Sequence, residues 1–226
     1  MALGSKVLNA LFVGGAVLVA VYAWAIYGVL TEWLIPLGSM VAPEMSEMFR
    51  SEKAAIYVHA LSSGFSLTIG PFQVIPSFRQ KHMLGHRWAG RVYFLCCLMG
   101  SITGIILAFK AQGGAVGKAG FACLGFAWLI SNLVGFAAIA FPAIRSVPVH
   151  ERAMQISCAL AYSAVTLRLY LPAAVLNPRH FQAIYAGISW LCWIPNLLVL
   201  EIIRCSGKRQ QEPSQPKETP EAREDC

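Results

Sequence analysis

HRWAGRVYFLCCLMGSITGIILAFK runs from His86 to Lys110, and between Arg91 and Lys110 it carries no charged residue. About 20 apolar residues rising 1.5 Å each cross the hydrocarbon core, so this stretch with its flanking residues predicts a membrane-spanning helix. Further near-charge-free runs surround it: Val7 to Thr31, Ala54 to Phe78, Ala119 to Ile144, Ala153 to Pro178 (broken by Arg168) and His180 to Leu200. The 226 residues are 57% hydrophobic and 13% charged, with a mean hydropathy of +0.58, too apolar for an ordinary soluble domain. Lipid offers no water to backbone groups, so runs of this length must pair internally as helices. The expected fold is all-α: a six-helix transmembrane bundle over 1–204, with spans near 7–31, 54–78, 88–110, 119–144, 151–177 and 181–203. A disordered cytoplasmic tail over 205–226 would follow, where Pro213, Pro216 and Pro220 lie among Gln, Glu, Lys and Ser.

The basic residues orient this bundle. With the N-terminus inside, one side holds Lys6, Arg79, Lys81, Arg87, Arg91, Arg145, Arg152, Arg204, Lys208 and Arg209. The other holds Arg50, Lys53, Lys110, Lys118 and Arg179, mixed with Glu32, Glu44, Glu47 and Glu52. The positive-inside rule then places both termini in the cytoplasm and leaves the choice of membrane open. The net charge of +7 follows from topology and attraction to an anionic inner leaflet, which gives little reason to expect nucleic acid. Lys6 before an apolar run, with Ala23-Trp24-Ala25 after it, has the outline of a signal peptide. That run is longer than a signal core of about 7 to 15 residues, so a retained helix is expected. The cysteines inside the spans, Cys96, Cys97, Cys123, Cys158 and Cys192, show no metal-ligand spacing and read as reduced packing residues. Cys205, just past the last span, is a candidate for palmitoylation.

Helical spacing shows where the polar residues point. His59, Ser63, Ser66, Gly70, Gln73 and Ser77 fall on one stripe of the second span. His86, Gly90, Tyr93, Cys97, Gly100 and Gly104 repeat the same offsets on the third, where Gly100 and Gly104 have the small-xxx-small spacing of close helix pairs. His150, Met154, Ser157, Ala161, Ala164 and Arg168 repeat them on the fifth. Lipid-facing positions do not tolerate His, Gln or Arg, so the three stripes are expected to turn inward as one polar seam. Its outer cluster would be His59 with Arg168. Its inner cluster would be His86, Arg87, Arg91, His150 and Arg152, with Gln73 in reach. Gly70-Pro71 is expected to loosen the second helix in mid-span. Arg168 has no acid at its own depth, because Glu201 lies near the inner end of the sixth span; it needs an anion, carbonyl groups or water, or else it snorkels outward. His82 and His180 fall in expected loops.

These residues carry a family resemblance. GPFQ at Gly70 to Gln73, HRWAGRVY at His86 to Tyr93, HERAM at His150 to Met154 and VTLRLY at Val165 to Tyr170 resemble the domain of unknown function 2306 family of predicted multi-pass membrane proteins. The resemblance spans His59 to Val175. At the fifth span that family's pattern reads His, Arg, any residue, Trp, Met, whereas this chain has His150, Glu151, Arg152, Ala153 and Met154. The resemblance implies a multi-pass fold and a site location, and no activity.

Two functional readings follow. In one, His86 and His150, with His59 as a further candidate, hold a b-type haem for transmembrane electron transfer, and Arg168 and Arg91 neutralise its propionates. In the other, the seam binds, moves or modifies an anionic lipid or small anion without a redox cofactor, through Arg87, Arg152, Gln73 and Tyr93 beside the same histidines. No metal site beyond a haem iron is expected. No catalytic residue is assigned, and whether the chain is an enzyme, and its oligomeric state, stay open. The spans lack the embedded carboxylates of Asp/Glu proton relays and di-metal sites, and no phosphate loop, CxxC, HExxH or GxSxG occurs.

Overall fold

A computed structural model describes residues 2–26 and 50–211 of the chain. Among the described residues every regular element is helical. In chain order they are α1 (Ala2–Trp24), α2 (Lys53–Val74), α3 (Pro76–Lys81), α4 (Met83–Ala108), α5 (Gly114–Ala140), α6 (Val147–Ala161), α7 (Ser163–Val175), α8 (Phe181–Leu191) and α9 (Ile194–Gln211). Short 3₁₀ turns at Pro142–Ile144 and Pro178–His180 join α5 to α6 and α7 to α8. Helices α6 and α7 run on as one rod interrupted at Tyr162, and α8 and α9 as another interrupted at Cys192 and Trp193.

Among the described residues, four rods are long and apolar enough to cross a membrane: Met83–Ala108, Gly114–Ala140, Val147–Val175 and Pro178–Ser206. The expected six crossings therefore have four candidates among the described residues. Helix α2 spans the right length, but its Ser, Gly and His content lowers its hydropathy. The apolar part of α1 in the described residues is the shorter Ala10–Trp24. The expected first span ends beyond residue 26, and most of the expected tail lies past residue 211, both outside the described residues. The last helix runs on to Gln211, past the expected tail boundary at 205.

Local chemistry explains the boundaries. Helix α2 continues through Pro71 to Val74, and the chain breaks one residue later at Ile75. Ile75 precedes Pro76, whose ring disfavours helical backbone at the residue before it, and Ile75 is extended at φ −76° and ψ 115°. The expected mid-span loosening at Gly70-Pro71 is thus displaced to the helix end, where Pro76 starts α3 in the position that tolerates a missing N–H. Gly113 opens α5 at φ +88°, a left-handed conformation that a side chain resists, and it also lies where a Cβ would sit 2.8 Å from the Ala186 nitrogen.

Packing is inverted relative to a water-soluble bundle. On α4, Leu95, Met99, Ile102 and Ile106 form an exposed apolar stripe, while Tyr93, Cys97, Gly100, Ser101 and Ala108 are buried. Large apolar side chains facing out and small or polar ones facing in is the pattern that suits lipid as solvent, where close backbone approach replaces hydrophobic drive. Helix α2 packs on α4, α4 on α5, α5 on α6, and α6 back on α2, closing a four-helix core. Helix α1 covers α2 and α7, and α8 and α9 cover α5, α7 and α6.

Candidate functional site

The stripes of α2 and α4 face each other in antiparallel register. A Cβ on Gly104 would sit 3.1 Å from His59 Cε1, one on Gly100 2.8 Å from Ser63 Oγ, one on Gly70 3.1 Å from the Tyr93 ring, and one on Gly90 3.4 Å from Gln73 Oε1. Between these, the buried Ser66 donates to the Ser63 carbonyl of its own helix at 2.9 Å. Each of these four glycines on one helix therefore receives a polar or aromatic side chain from the other. The α6 stripe enters from across the core: Tyr93 Oη lies 3.0 Å from Ser157 Oγ, and Ser157 in turn donates to Cys97 Sγ at 3.9 Å. The seam inferred from helical spacing is the interior of the four-helix core.

Sequence spacing did not place α5 in that interior, yet α5 lies between α4 and α6. Its fully buried Asn132 donates through Nδ2 to the Phe94 carbonyl at 3.1 Å, and its Gly135 carbonyl receives His150. A lone Asn in a 27-residue apolar helix was the one available signal.

At the end where α3 turns into α4, the candidates His86 and His150 come together. His86 lies within electrostatic range of His150, Arg79 and Arg87. Its Nδ1 is buried without a hydrogen-bond partner, and so is Gln73 Nε2. The Nδ1–H of His150 donates to the Gly135 carbonyl at 2.8 Å, which leaves Nε2 as the nitrogen open to a ligand. Arg79 pairs with Glu151 at 2.5 Å, so the Glu151 that departs from the family pattern has a partner on α3. Ala153, where that pattern has Trp, is buried against Gly135, with no room for an indole.

The other inner candidates are placed differently. Arg91 is exposed, its guanidinium 4.5 Å from the Trp88 ring centroid, and Arg87 is exposed one turn earlier. Arg152 pairs with Glu201, which also holds Arg204 at 2.9 Å, while Arg152 Nη1 is buried without a partner. Arg152 thus faces α9 rather than the core. Tyr93 is 2% exposed and occupied by Ser157, a core position rather than an open ligand position. His82 and His180 are exposed, as expected of loop residues.

At the opposite end, the Nδ1–H of His59 donates to the Gly100 carbonyl at 2.8 Å, and Arg168 lies within electrostatic range of the ring. Arg168 Nη1 donates to the Ala164 carbonyl at 2.8 Å, and the guanidinium lies 5.4 Å from the Tyr22 ring centroid. His59 and Arg168 both line a partly open cavity of about 250 Å³ between the helices of the core. Cys97, Cys158 and Cys192 are buried free thiols in packing positions; Cys96 is half-buried, and Cys123 and Cys205 are exposed. No group of three or more His, Cys, Asp or Glu side chains able to hold a metal ion occurs among the described residues.

Apolar rods with lipid-type packing around a His- and Ser-bearing core define an integral membrane protein. The family model described as predicted membrane protein DUF2306 matches residues 56–204, well over half of the chain, and the chain belongs to that family. No curated protein and no solved structure matches it.

Proposed function

We propose that the His86 and His150 end of the core binds an anionic head group, phosphate or carboxylate, presented from the cytoplasmic side of a six-crossing bundle with both termini inside. The observation that carries this reading is the pair of buried, unpartnered side-chain nitrogens, Gln73 Nε2 and His86 Nδ1, together with the Arg79 and Arg87 guanidinium groups within electrostatic range of His86. A buried donor without an acceptor costs about 1–3 kcal/mol, and an oxyanion supplies several acceptors at once. Glu151, the acid of this cluster, is already engaged by Arg79. The test is equilibrium binding of phosphatidic acid in nanodiscs, with inorganic phosphate as a soluble competitor. Binding should weaken as salt rises and fall about tenfold or more in Arg87→Ala and Gln73→Leu. Equal binding by both variants would overturn the reading.

A second reading of the same end is a haem held by His86 and His150. It is favoured by the His150 Nδ1–H bond to the Gly135 carbonyl, the kind of outer contact that orients a metal-ligating imidazole. Protein purified from haem-replete cells would then show a Soret band that shifts on reduction and disappears in His86→Ala and in His150→Ala. A protein with neither Soret absorbance nor iron leaves the anion reading in sole possession of the site.

A further inference from the structure

The cavity at the far end of the core belongs to neither of those readings, because His86 and His150 do not line it. Its wall is built by Val19 and Ala23 of α1, Ser63 of α2, Leu124 and Trp128 of α5 and Leu160 of α6. Most of that surface is apolar. At about 250 Å³ it lies just under the roughly 300–1,000 Å³ of small-molecule pockets, room for a single ring with its substituents outside.

Its polar groups come at two levels. At the level of Gly100, Ser63 Oγ and the benzo edge of Trp128 lie over the α4 backbone, where a Cβ would be 2.8 Å from the hydroxyl and 3.0 Å from Trp128 Cη2. Both Ser63 Oγ and Trp128 Nε1 are buried without a hydrogen-bond partner. At the level of Gly104, about 6 Å further along at 1.5 Å per residue, the His59 ring lies against α4. With its Nδ1–H given to the Gly100 carbonyl, neutral His59 has Nε2 as a hydrogen-bond acceptor. The site therefore combines one donor, the Ser63 hydroxyl, with an acceptor about one helical turn away.

We infer that this cavity binds the ring of a lipid quinone in its quinol form. Oxygens on opposite edges of a six-membered ring are separated by a distance comparable to one helical turn. One ring oxygen accepts from Ser63, and the hydroxyl opposite donates to His59 Nε2. The apolar walls take the ring faces, and the isoprenoid tail lies in the bilayer. An aliphatic alcohol supplies one oxygen and cannot satisfy both levels. The inference is one of binding and does not depend on an anion or a haem at the other end.

The test is titration of reduced decylubiquinone, held reduced with excess dithionite under argon, into the full-length protein in nanodiscs, with decanol and empty nanodiscs as controls. Saturable binding of one quinol per chain, at least tenfold tighter than decanol, is expected. Ser63→Ala removes the donor without adding bulk and should weaken it about three- to tenfold, and His59→Leu by tenfold or more. Phosphatidic acid binding at the opposite end should be unchanged in Ser63→Ala, which separates the two sites. Uptake by the parent protein no greater than into empty nanodiscs, or affinity for decanol equal to that for the quinol, overturns the inference whether or not any variant folds. Parent-like affinity in both folded variants overturns it as well.

Discussion

Tyr93 on α4 and Ser157 on α6 join their hydroxyls at 3.0 Å across the middle of the core, with Gly70 of α2 making the space in which the Tyr93 ring lies. Two helices on opposite corners of the four-helix cycle are thereby tied together at one point. The pair fixes the register between stripes that are otherwise lined by small residues.

Tyr93→Phe should keep the ring packing and lose the bond, leaving the Ser157 hydroxyl with only the weak Cys97 acceptor. A net loss of about 1 kcal/mol is expected, read as a lowered midpoint in detergent unfolding. Gly70→Leu should cost more, about 1–3 kcal/mol or a failure to fold, because the added atoms meet Tyr93 and Cys158 directly. A Gly70→Leu protein as stable as the parent would show that α2 and α4 do not approach as described.

Arg168→Leu and His59→Leu should each destabilise the bundle by about 1–3 kcal/mol, since each removes hydrogen-bonding groups engaged with backbone carbonyls. Ile106→Leu, on the exposed apolar stripe of α4, should be nearly neutral. Thermal inactivation of the three variants side by side decides the matter: parent-like behaviour of Arg168→Leu would mean that its guanidinium only snorkels at the surface.

Glu151→Gln should change stability by less than about 1 kcal/mol. Its partner Arg79 and the carboxylate itself are each about one-third exposed, at 32% and 38%, and solvent screens such pairs. The same variant should tighten phosphatidic acid binding, because it frees Arg79 beside His86. Weakened binding would argue that Glu151 organises the cluster instead of competing with the ligand.

For topology, single cysteines in a background without native cysteines are expected to react with an impermeant probe from outside at Gly114, and at Lys81 only after permeabilisation. The expectation rests on the excess of Arg and Lys on the α3 side of the bundle. Labelling of Lys81→Cys in sealed cells would invert the bundle and move the anion site to the opposite face.

Much of this architecture is legible along the chain because helical periodicity is a local property. His59 with Ser63 and Gly70, and Tyr93 with Cys97 and Gly100, share faces by spacing alone, and lipid forces those faces inward. The helix ends were less legible: Pro71 signals a break that the structure defers to Ile75, because a buried proline is tolerated when the helices around it hold the turn in place. Spacing could not say which helix lies beside which, so α5, with Asn132 and the Gly135 carbonyl that receives His150, joined the core only in three dimensions. Nor could it separate Arg79, which lies within electrostatic range of His86, from Arg91 and Arg152, which turn to Trp88 and Glu201. By itself the sequence determined a lipid-embedded helical protein with an inward polar seam, since chain composition and the 3.6-residue period depend on near neighbours only. Tertiary packing alone decided the grouping of His86 with His150 and the cavity of about 250 Å³, because a cavity is the space that non-adjacent helices fail to fill and has no trace in the order of residues along any one of them.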